Sequence, residues 1–166
     1  MGASSLPGPA PADRQLLITR TFDAPRRRVF AAWTTPEHLG RWWGPRFFTL
    51  PVCEMAFCPG GAYRHCLRSP EGRDHGARGA YGEIVEPERI VFTTILDDEP
   101  DHEILTTVTF AEREGRTRLT VHQSFADTVM TRGAQEGWTQ SLARLAEHLR
   151  VPEASDLVLP ERRSGP

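Results

Sequence analysis

The side chains best suited to metal chemistry are clustered in one short stretch, which contains Cys53, Cys58, His65 and Cys66. Thiolate and imidazole groups are the ligands that zinc prefers. The spacing matches neither a C-x-x-C pair nor a disulfide framework. Neighbouring residues of a strand point to opposite faces, which separates His65 from Cys66. The sequence therefore predicts no metal site, and an odd number of cysteines favours the reducing cytoplasm.

Acid–base chemistry has two candidates on faces that could point inward, His65 and Glu83. A general acid or base must lie inside a site with a shifted pKa. The chain contains no G-x-S-x-G or G-x-G-x-x-G motif, and all of its 20 basic residues are arginines, which excludes Schiff-base and P-loop lysine chemistry. We therefore expect no catalytic residue and no cofactor. An enzyme that uses an inward-facing acid or base remains an alternative, and it requires a hydrogen-bonded His65 in the cavity.

The chemistry that the sequence favours is the binding of an apolar molecule, because ligand cavities combine aromatic walls with a few polar groups. The apolar residues expected to face inward are Trp42, Trp43, Tyr63, Phe92, Phe125, Trp138 and Leu142. Alternation along the strands adds four polar residues, His65, Thr94, Thr106 and Gln123. The alternative interpretation is a packed core, in which the aromatic rings fill the space and the polar groups bind one another or buried water.

Short β-prone runs separated by turn residues must position these side chains. The predicted strands are Leu16–Phe22, Phe47–Phe57, Ala62–Arg68, Arg78–Val85, Ile90–Leu96, Glu103–Ala111 and Thr117–Phe125. Pro25 and the pair Thr35-Pro36 each begin a short helix. Beyond Asp127, Trp138, Leu142, Leu145 and Leu149 recur at helical spacing, and Pro152 ends this amphipathic helix.

These elements predict an α+β fold in which a curved antiparallel sheet grips a long C-terminal helix. It has a seven-stranded curved antiparallel sheet, two short helices and one long C-terminal helix, in the order β-α-α-β-β-β-β-β-β-α. The helix must bury its Trp and Leu stripe on the concave face of the sheet. Residues 1–15 are expected to be a disordered leader, 16–150 the domain and 151–166 a disordered tail.

One strand has an ambiguous inward face. In Arg78–Val85, Tyr81 and Glu83 share one face, and Ala80, Gly82 and Ile84 share the other. Both sets contain a large side chain that favours burial, so alternation does not decide between them.

The charge pattern limits the partners. A formal net charge of -2 with scattered acids and bases gives no positive surface for nucleic acid. No apolar run approaches the roughly 20 residues of a membrane-spanning helix, so membrane insertion is not expected. An acidic loop that contains Asp97, Asp98, Glu99, Asp101 and Glu103 is typical of a solvated surface. Exposed edge strands permit a homodimer without requiring one.

Several motifs together resemble a known family. They are Asp23-Ala24-Pro25, Thr35-Pro36-Glu37-His38-Leu39, Arg41-Trp42-Trp43-Gly44-Pro45, Pro59-Gly60-Gly61-Ala62-Tyr63, Gly79-Ala80-Tyr81-Gly82-Glu83, Pro87-Glu88-Arg89-Ile90-Val91-Phe92-Thr93, Thr117-Arg118-Leu119-Thr120 and Glu136-Gly137-Trp138. The chain is similar from about Leu16 to Arg150 to START-like SRPBCC domains, and within them to the activator-of-heat-shock-protein-ATPase-like subgroup, of the C-terminal domain type.

The resemblance implies the helix-grip fold of the START and birch-pollen-allergen type, and it implies several possible activities. Such domains include lipid and sterol carriers, plant hormone receptors and polyketide cyclases, and the co-chaperone that names the subgroup has an additional N-terminal domain. The leading hypothesis is a bacterial, cytoplasmic, non-catalytic carrier or sensor of a small hydrophobic molecule. The alternatives are an enzyme of polyketide cyclase or hydrolase type that uses the same cavity, and a chaperone-associated interaction module.

Overall fold

The alternating strands and the amphipathic helix fold in the predicted order. The computed structural model describes residues 14–125 and 128–150, with side chains described from residue 133 onward in the last helix. The elements are β1 (Gln15–Phe22), α1 (Arg26–Ala31), α2 (Pro36–Leu39), β2 (Thr49–Met55), β3 (Ala62–Arg68), β4 (Asp74–Val85), β5 (Arg89–Leu96), β6 (Glu103–Arg113), β7 (Arg116–Ser124) and α3 (Thr128–Arg150). The predicted tail and almost all of the predicted leader lie outside the described residues; Gln15, assigned to the leader, begins β1 instead.

The strands form one antiparallel sheet in the order β1-β7-β6-β5-β4-β3-β2. Strands β2 to β7 form a meander, since each pairs with the next, and β1 joins its far edge by pairing along β7. Helix α3 buries Trp138, Leu142, Leu145 and Leu149 in the core shared with the sheet. The predicted helix-grip fold, with its curved seven-stranded sheet, is confirmed.

The inner face of the sheet follows the predicted alternation in most strands. In β7, Leu119, Val121 and Gln123 are buried, while His122 points to the outer face and hydrogen-bonds Gln15 across the strand pair at 2.9 Å. In β3, Tyr63 is buried, and the arginines at positions 64 and 68 are exposed. The alternation of residues along these strands therefore determines which face of the sheet is buried.

Strand β4 departs from simple alternation. A register shift lies between Tyr81 and Ile84 where β4 pairs with β5, which is the mark of a β-bulge. The bulge lets Tyr81 and Ile84 both pack against the core, while Glu83 is exposed and paired with Arg89. Neither of the two predicted frames is therefore right over the whole strand, and Glu83 is excluded from the interior.

Two strands begin at least two residues away from the predicted start. Strand β4 begins at Asp74 instead of Arg78, because the β3–β4 hairpin continues to the pair of Arg68 and Asp74, whose side chains form an ion pair at 2.7 Å. Strand β2 begins at Thr49 instead of Phe47, because Phe47 has a left-handed φ of 70° and a side chain that is 82% exposed. A left-handed residue cannot continue a strand.

The two short helices begin where the sequence places them. Pro25 is the N-cap of α1, and Thr35 caps α2 by accepting a hydrogen bond from the backbone N–H of His38 at 3.3 Å. The turn after α2 brings Trp42 to a fully buried position. These helices therefore fix the start of the loop that leads to β2.

Candidate functional site

A cavity of about 690 Å³ lies between the inner face of the sheet and the first half of α3. Its wall is mostly apolar and includes Trp43, Phe48, Leu67, Phe92, Leu96, Ile104, Phe125 and Trp138. The uncharged polar residues His65, Thr94, Gln123 and Ser141 also line it. Exposed Asp98 and Glu99 contribute to the rim, so the cavity reaches the protein surface on that side.

The structure brings most of the predicted site residues to this cavity. The lining includes Trp43, His65, Phe92, Thr94, Gln123, Phe125 and Trp138. Trp42, Tyr63, Thr106 and Leu142 are buried but are not part of the lining. Trp42 contacts the ring of Trp43, Tyr63 stacks on the ring of His65, and Thr106 accepts a hydrogen bond from Gln123, so these three support residues of the lining. Leu142 is part of the hydrophobic core.

Trp42 and Leu142 belong to the solid part of the core. The Trp42 indole nitrogen donates a hydrogen bond to the carbonyl oxygen of Ala32 at 2.9 Å. Its ring lies 4.7 Å from the ring of Trp33 and 5.3 Å from that of Trp43, both in edge-to-face geometry. Trp42 therefore holds Trp43 in position from behind, a role that does not require contact with a ligand.

Tyr63 lies beside a second, much smaller space. Its hydroxyl is 2.6 Å from both the carbonyl oxygen of Thr93 and the hydroxyl of Thr94. Burial raises the pKa of Tyr63 to about 12, so the phenol stays protonated at neutral pH. The adjoining space of about 20 Å³, which Trp33 and Tyr81 also line, has room for about one water molecule.

His65 is the titratable side chain most deeply set in the wall. Its ring stacks on Tyr63 at 5.4 Å and meets the edge of Trp43 at 5.5 Å. Among the described residues, the imidazole has these ring contacts and no hydrogen bond. Burial lowers the pKa of His65 to about 4, so the ring is neutral at pH 7 and offers one donor and one acceptor.

This lowered pKa makes stability depend on pH in a defined direction. Between the ordinary value of 6.5 and about 4, the unfolded chain binds a proton at His65 and the folded chain does not. Stability is therefore full above pH 6.5 and is lost as the pH falls toward 4. We expect the free energy of unfolding to fall by about 2 kcal/mol more between pH 7 and pH 5 in the wild type than in His65→Phe. Urea unfolding of both proteins at the two pH values measures this difference, and equal losses would contradict the buried, neutral state of His65.

Gln123 carries an unpaired polar atom at the opposite end of the inner face. Its amide nitrogen donates to the hydroxyl of Thr106 at 2.9 Å, and both side chains are buried. The amide oxygen is enclosed and has no hydrogen-bond partner among the described residues. Buried acceptors without a partner are uncommon, because the loss of hydration is not compensated.

The loop of residues 43–48 forms one wall of the cavity and is hydrogen-bonded to α3. The backbone N–H of Gly44 donates to the Ser141 hydroxyl at 3.1 Å. The Arg144 guanidinium donates to the carbonyl oxygens of Trp43, Gly44 and Pro45 at 3.0–3.1 Å. Gly44 has a φ of 97°, and a Cβ there would lie 2.6 Å from Leu67, so glycine is required. These bonds hold Trp43 against the cavity.

Part of the site was not foreseen from the sequence. Gly133, Gly137 and Ser141 line the cavity and follow one another at four-residue spacing, which places them on one side of α3. A Cβ added at Gly133 or Gly137 would have nothing within 4 Å. The spacing of these small residues is the sequence signal that could have predicted this part of the cavity lining. Because these residues have little or no side chain, the helix leaves open space on this side.

The acidic loop has a defined position at the rim. Asp98 lies 3.9 Å from His75, and Glu99 lies 3.5 Å from His102. Asp97 pairs with Arg64 at 3.4 Å. Within residues 14–125 and 128–150, no group of three or more His, Cys, Asp or Glu side chains is arranged to hold a metal ion.

Comparison with known proteins decides the family. The family profile described as activator of Hsp90 ATPase homolog 1-like protein matches residues 23–150. The chain belongs to this family. The match covers both short helices, strands β2 to β7 and all of α3, which is the region that builds the cavity.

Several solved structures of bacterial proteins share the fold of this chain. A Chromobacterium violaceum protein is 30% identical with a TM-score of 0.78, covering 84% of this chain and 99% of its own. A Silicibacter pomeroyi protein of the same family name is 26% identical with a TM-score of 0.74, covering 82% and 97%. A Rhodobacter sphaeroides protein is 26% identical with a TM-score of 0.74, covering 88% and 98%. No curated protein matches the chain.

The structure also bears on membrane association. No helix in the described part of the chain is long and apolar enough to cross a membrane.

Proposed function

We propose that this protein binds a small, predominantly apolar molecule in the cavity between the sheet and α3, and that it acts as a carrier or sensor without catalysis. The observation that carries the proposal is the cavity itself. The cavity is open to the surface beside Asp98 and Glu99, so solvent can reach its mostly apolar wall, and apolar surface in contact with water is unfavourable. The space therefore holds water or a ligand, and an apolar wall favours a ligand over water.

The wall offers flat contacts for a ring system. Trp43 and Trp138 meet edge to face at 5.4 Å, and Trp138 also stacks on Trp33 at 5.9 Å. Such rings are held rigidly by their neighbours, so binding costs little side-chain entropy. The volume is within the range of pockets that enclose drug-sized molecules.

Catalysis has less support from the same residues. A cyclase or hydrolase would use His65 as its acid or base, and an orienting hydrogen bond normally holds such an imidazole. His65 has no such partner among the described residues, and its pKa of about 4 makes it a weak base at neutral pH. Glu83 is exposed and paired with Arg89.

The remaining alternative is an interaction module like the chaperone partner that names the family. It requires an apolar or charged docking surface outside the cavity. The exposed Leu17 and Leu105 lie on separate strands, β1 and β6, with β7 between them. Homodimer formation and a cytoplasmic location, where the free thiols of Cys53, Cys58 and Cys66 would stay reduced, remain predictions.

Two measurements on the purified chain test the proposed function. Native mass spectrometry should detect an added mass that is lost on denaturation, and N-phenyl-1-naphthylamine, a neutral fluorescent probe, should gain fluorescence and raise the midpoint of thermal unfolding. Absence of a co-purified mass, together with no thermal shift from this probe or from a panel of lipids and aromatic compounds, would reject the proposal.

A further inference from the structure

We propose that the cavity selects an uncharged molecule that carries a hydrogen-bond donor, and that the side-chain oxygen of Gln123 accepts that donor. This inference rests on the proposed ligand-binding function and adds the chemical class of the ligand. It excludes fatty acids and other carboxylates, which are common apolar ligands of similar size.

The first argument is the distribution of charge around the cavity. No arginine is among the described lining residues, and the two ionised side chains of the lining, Asp98 and Glu99, are both acidic. Arg144 of α3 is directed to three backbone carbonyl oxygens of the loop. A carboxylate beside these described residues would lose its hydration without gaining a cation from them, and it would pass two like charges.

The second argument is that the remaining titratable side chains of the lining supply no strong positive charge. His65 is set between Trp43 and Tyr63, where burial keeps its imidazole uncharged at neutral pH. His75 lies at the rim, where its ring nitrogen is 3.9 Å from a carboxylate oxygen of Asp98. The lining thus offers hydrogen bonds and dispersion contacts to a ligand.

The third argument is the unmet acceptor of Gln123. This side chain is 6% exposed, and its amide oxygen has no partner among the described residues. The amide nitrogen is already committed to Thr106 at 2.9 Å. The oxygen is enclosed in the free protein, and the terminal torsion of glutamine is soft, so the proposed binding requires a rotation that turns the oxygen toward a bound hydroxyl or N–H. A ligand donor would thereby satisfy an atom that is costly to leave unpaired.

The position of Gln123 orients the ligand. The cross-strand partners Gln123, Thr106, Phe92 and Tyr81 form one row across β7, β6, β5 and β4. A donor at Gln123 therefore places the apolar body of the ligand along the sheet toward Phe92 and beneath Trp138. The ligand class that fits is a neutral ring compound or long-chain molecule with a hydroxyl or N–H group.

Three naphthalene probes separate these features, measured by displacement of N-phenyl-1-naphthylamine at pH 7.5. 2-Naphthol has a donor, 2-methoxynaphthalene has the same ring without a donor, and 2-naphthoate is an anion. We expect 2-naphthol to bind about 3–10-fold more tightly than the methyl ether. We expect 2-naphthoate to bind at least about 100-fold more weakly than 2-naphthol. Equal affinity for naphthol and ether, or preference for the naphthoate, would overturn the proposal.

The variant Gln123→Met assigns the acceptor, because methionine keeps the length of the side chain and removes its amide. The preference for naphthol over the ether should fall to about 1-fold, while the ether keeps its affinity within about 2-fold. Gln135→Met, at an exposed position of α3 outside the lining, should keep the full preference. A preference that survives in Gln123→Met would reject Gln123 as the acceptor. Failure of every probe to bind the wild type would instead reject the ligand-binding function itself.

Discussion

Replacement of Trp42 by alanine is expected to lower the free energy of unfolding by about 3–5 kcal/mol, the usual cost of removing a large buried aromatic side chain. Trp42 is fully buried, packs edge to face on Trp33 and Trp43, and donates its indole N–H to Ala32. Its loss leaves a void behind the cavity wall and an unpaired carbonyl oxygen. Urea unfolding followed by far-UV circular dichroism measures the change.

Trp42→Phe is the matched control, because it keeps an aromatic ring and removes only the indole donor and part of the volume. Its cost should be smaller, about 1–3 kcal/mol. A loss below about 1 kcal/mol for Trp42→Ala would contradict the assignment of Trp42 to the solid core. It would indicate that this side chain faces open space, as the sequence alone had predicted.

Gly137→Trp is expected to block the cavity without destabilising the protein. Gly137 lines the space, and a Cβ there would meet no atom within 4 Å, so the added ring enters the cavity instead of the packed core. We expect the affinity for N-phenyl-1-naphthylamine to fall roughly tenfold or more, because the ring and the probe compete for the same volume. Glycine is a poor residue in a helix interior, so stability should equal or exceed that of the wild type.

Gly137→Ala is the matched control for this prediction. A methyl group relieves the helix penalty of glycine, which should raise the free energy of unfolding by about 0.8–1.0 kcal/mol, and it occupies little of the cavity. Its affinity for the probe should stay close to that of the wild type. If Gly137→Trp bound the probe as well as Gly137→Ala, the binding site would lie elsewhere on the protein.

The fold was predictable because the buried residues of this chain recur at the regular spacing of strands and helices. Leu119, Val121 and Gln123 alternate with outward residues, and Trp138 and Leu142 keep helical spacing, so the sheet and α3 each show one apolar face. The bulge between Tyr81 and Ile84 was not predictable, since one inserted residue changes the frame without changing the composition. The left-handed conformation of Phe47 has no sequence signal either.

The sequence predicts which face of the sheet carries the site residues, but it does not predict which of those residues line the cavity. Alternation puts Thr106 and Gln123 on the same inner face, but only Gln123 is part of the cavity lining, because the gap between sheet and helix opens over some inner residues and closes over others. That gap depends on where α3 presents small residues. The sequence signal for the gap is a row of small residues at four-residue spacing on α3, namely Gly133, Gly137 and Ser141. A neighbouring row of Trp and Leu residues on the same helix packs in the core.

The position of the bound ligand tests the central claim most directly. Intermolecular nuclear Overhauser effects between N-phenyl-1-naphthylamine and the protein report which side chains touch the probe. We expect contacts with the rings of Phe92, Phe125 and Trp138, from both the sheet and α3. Contacts restricted to the exposed Leu17 and Leu105, with none from the inner face, would contradict the account.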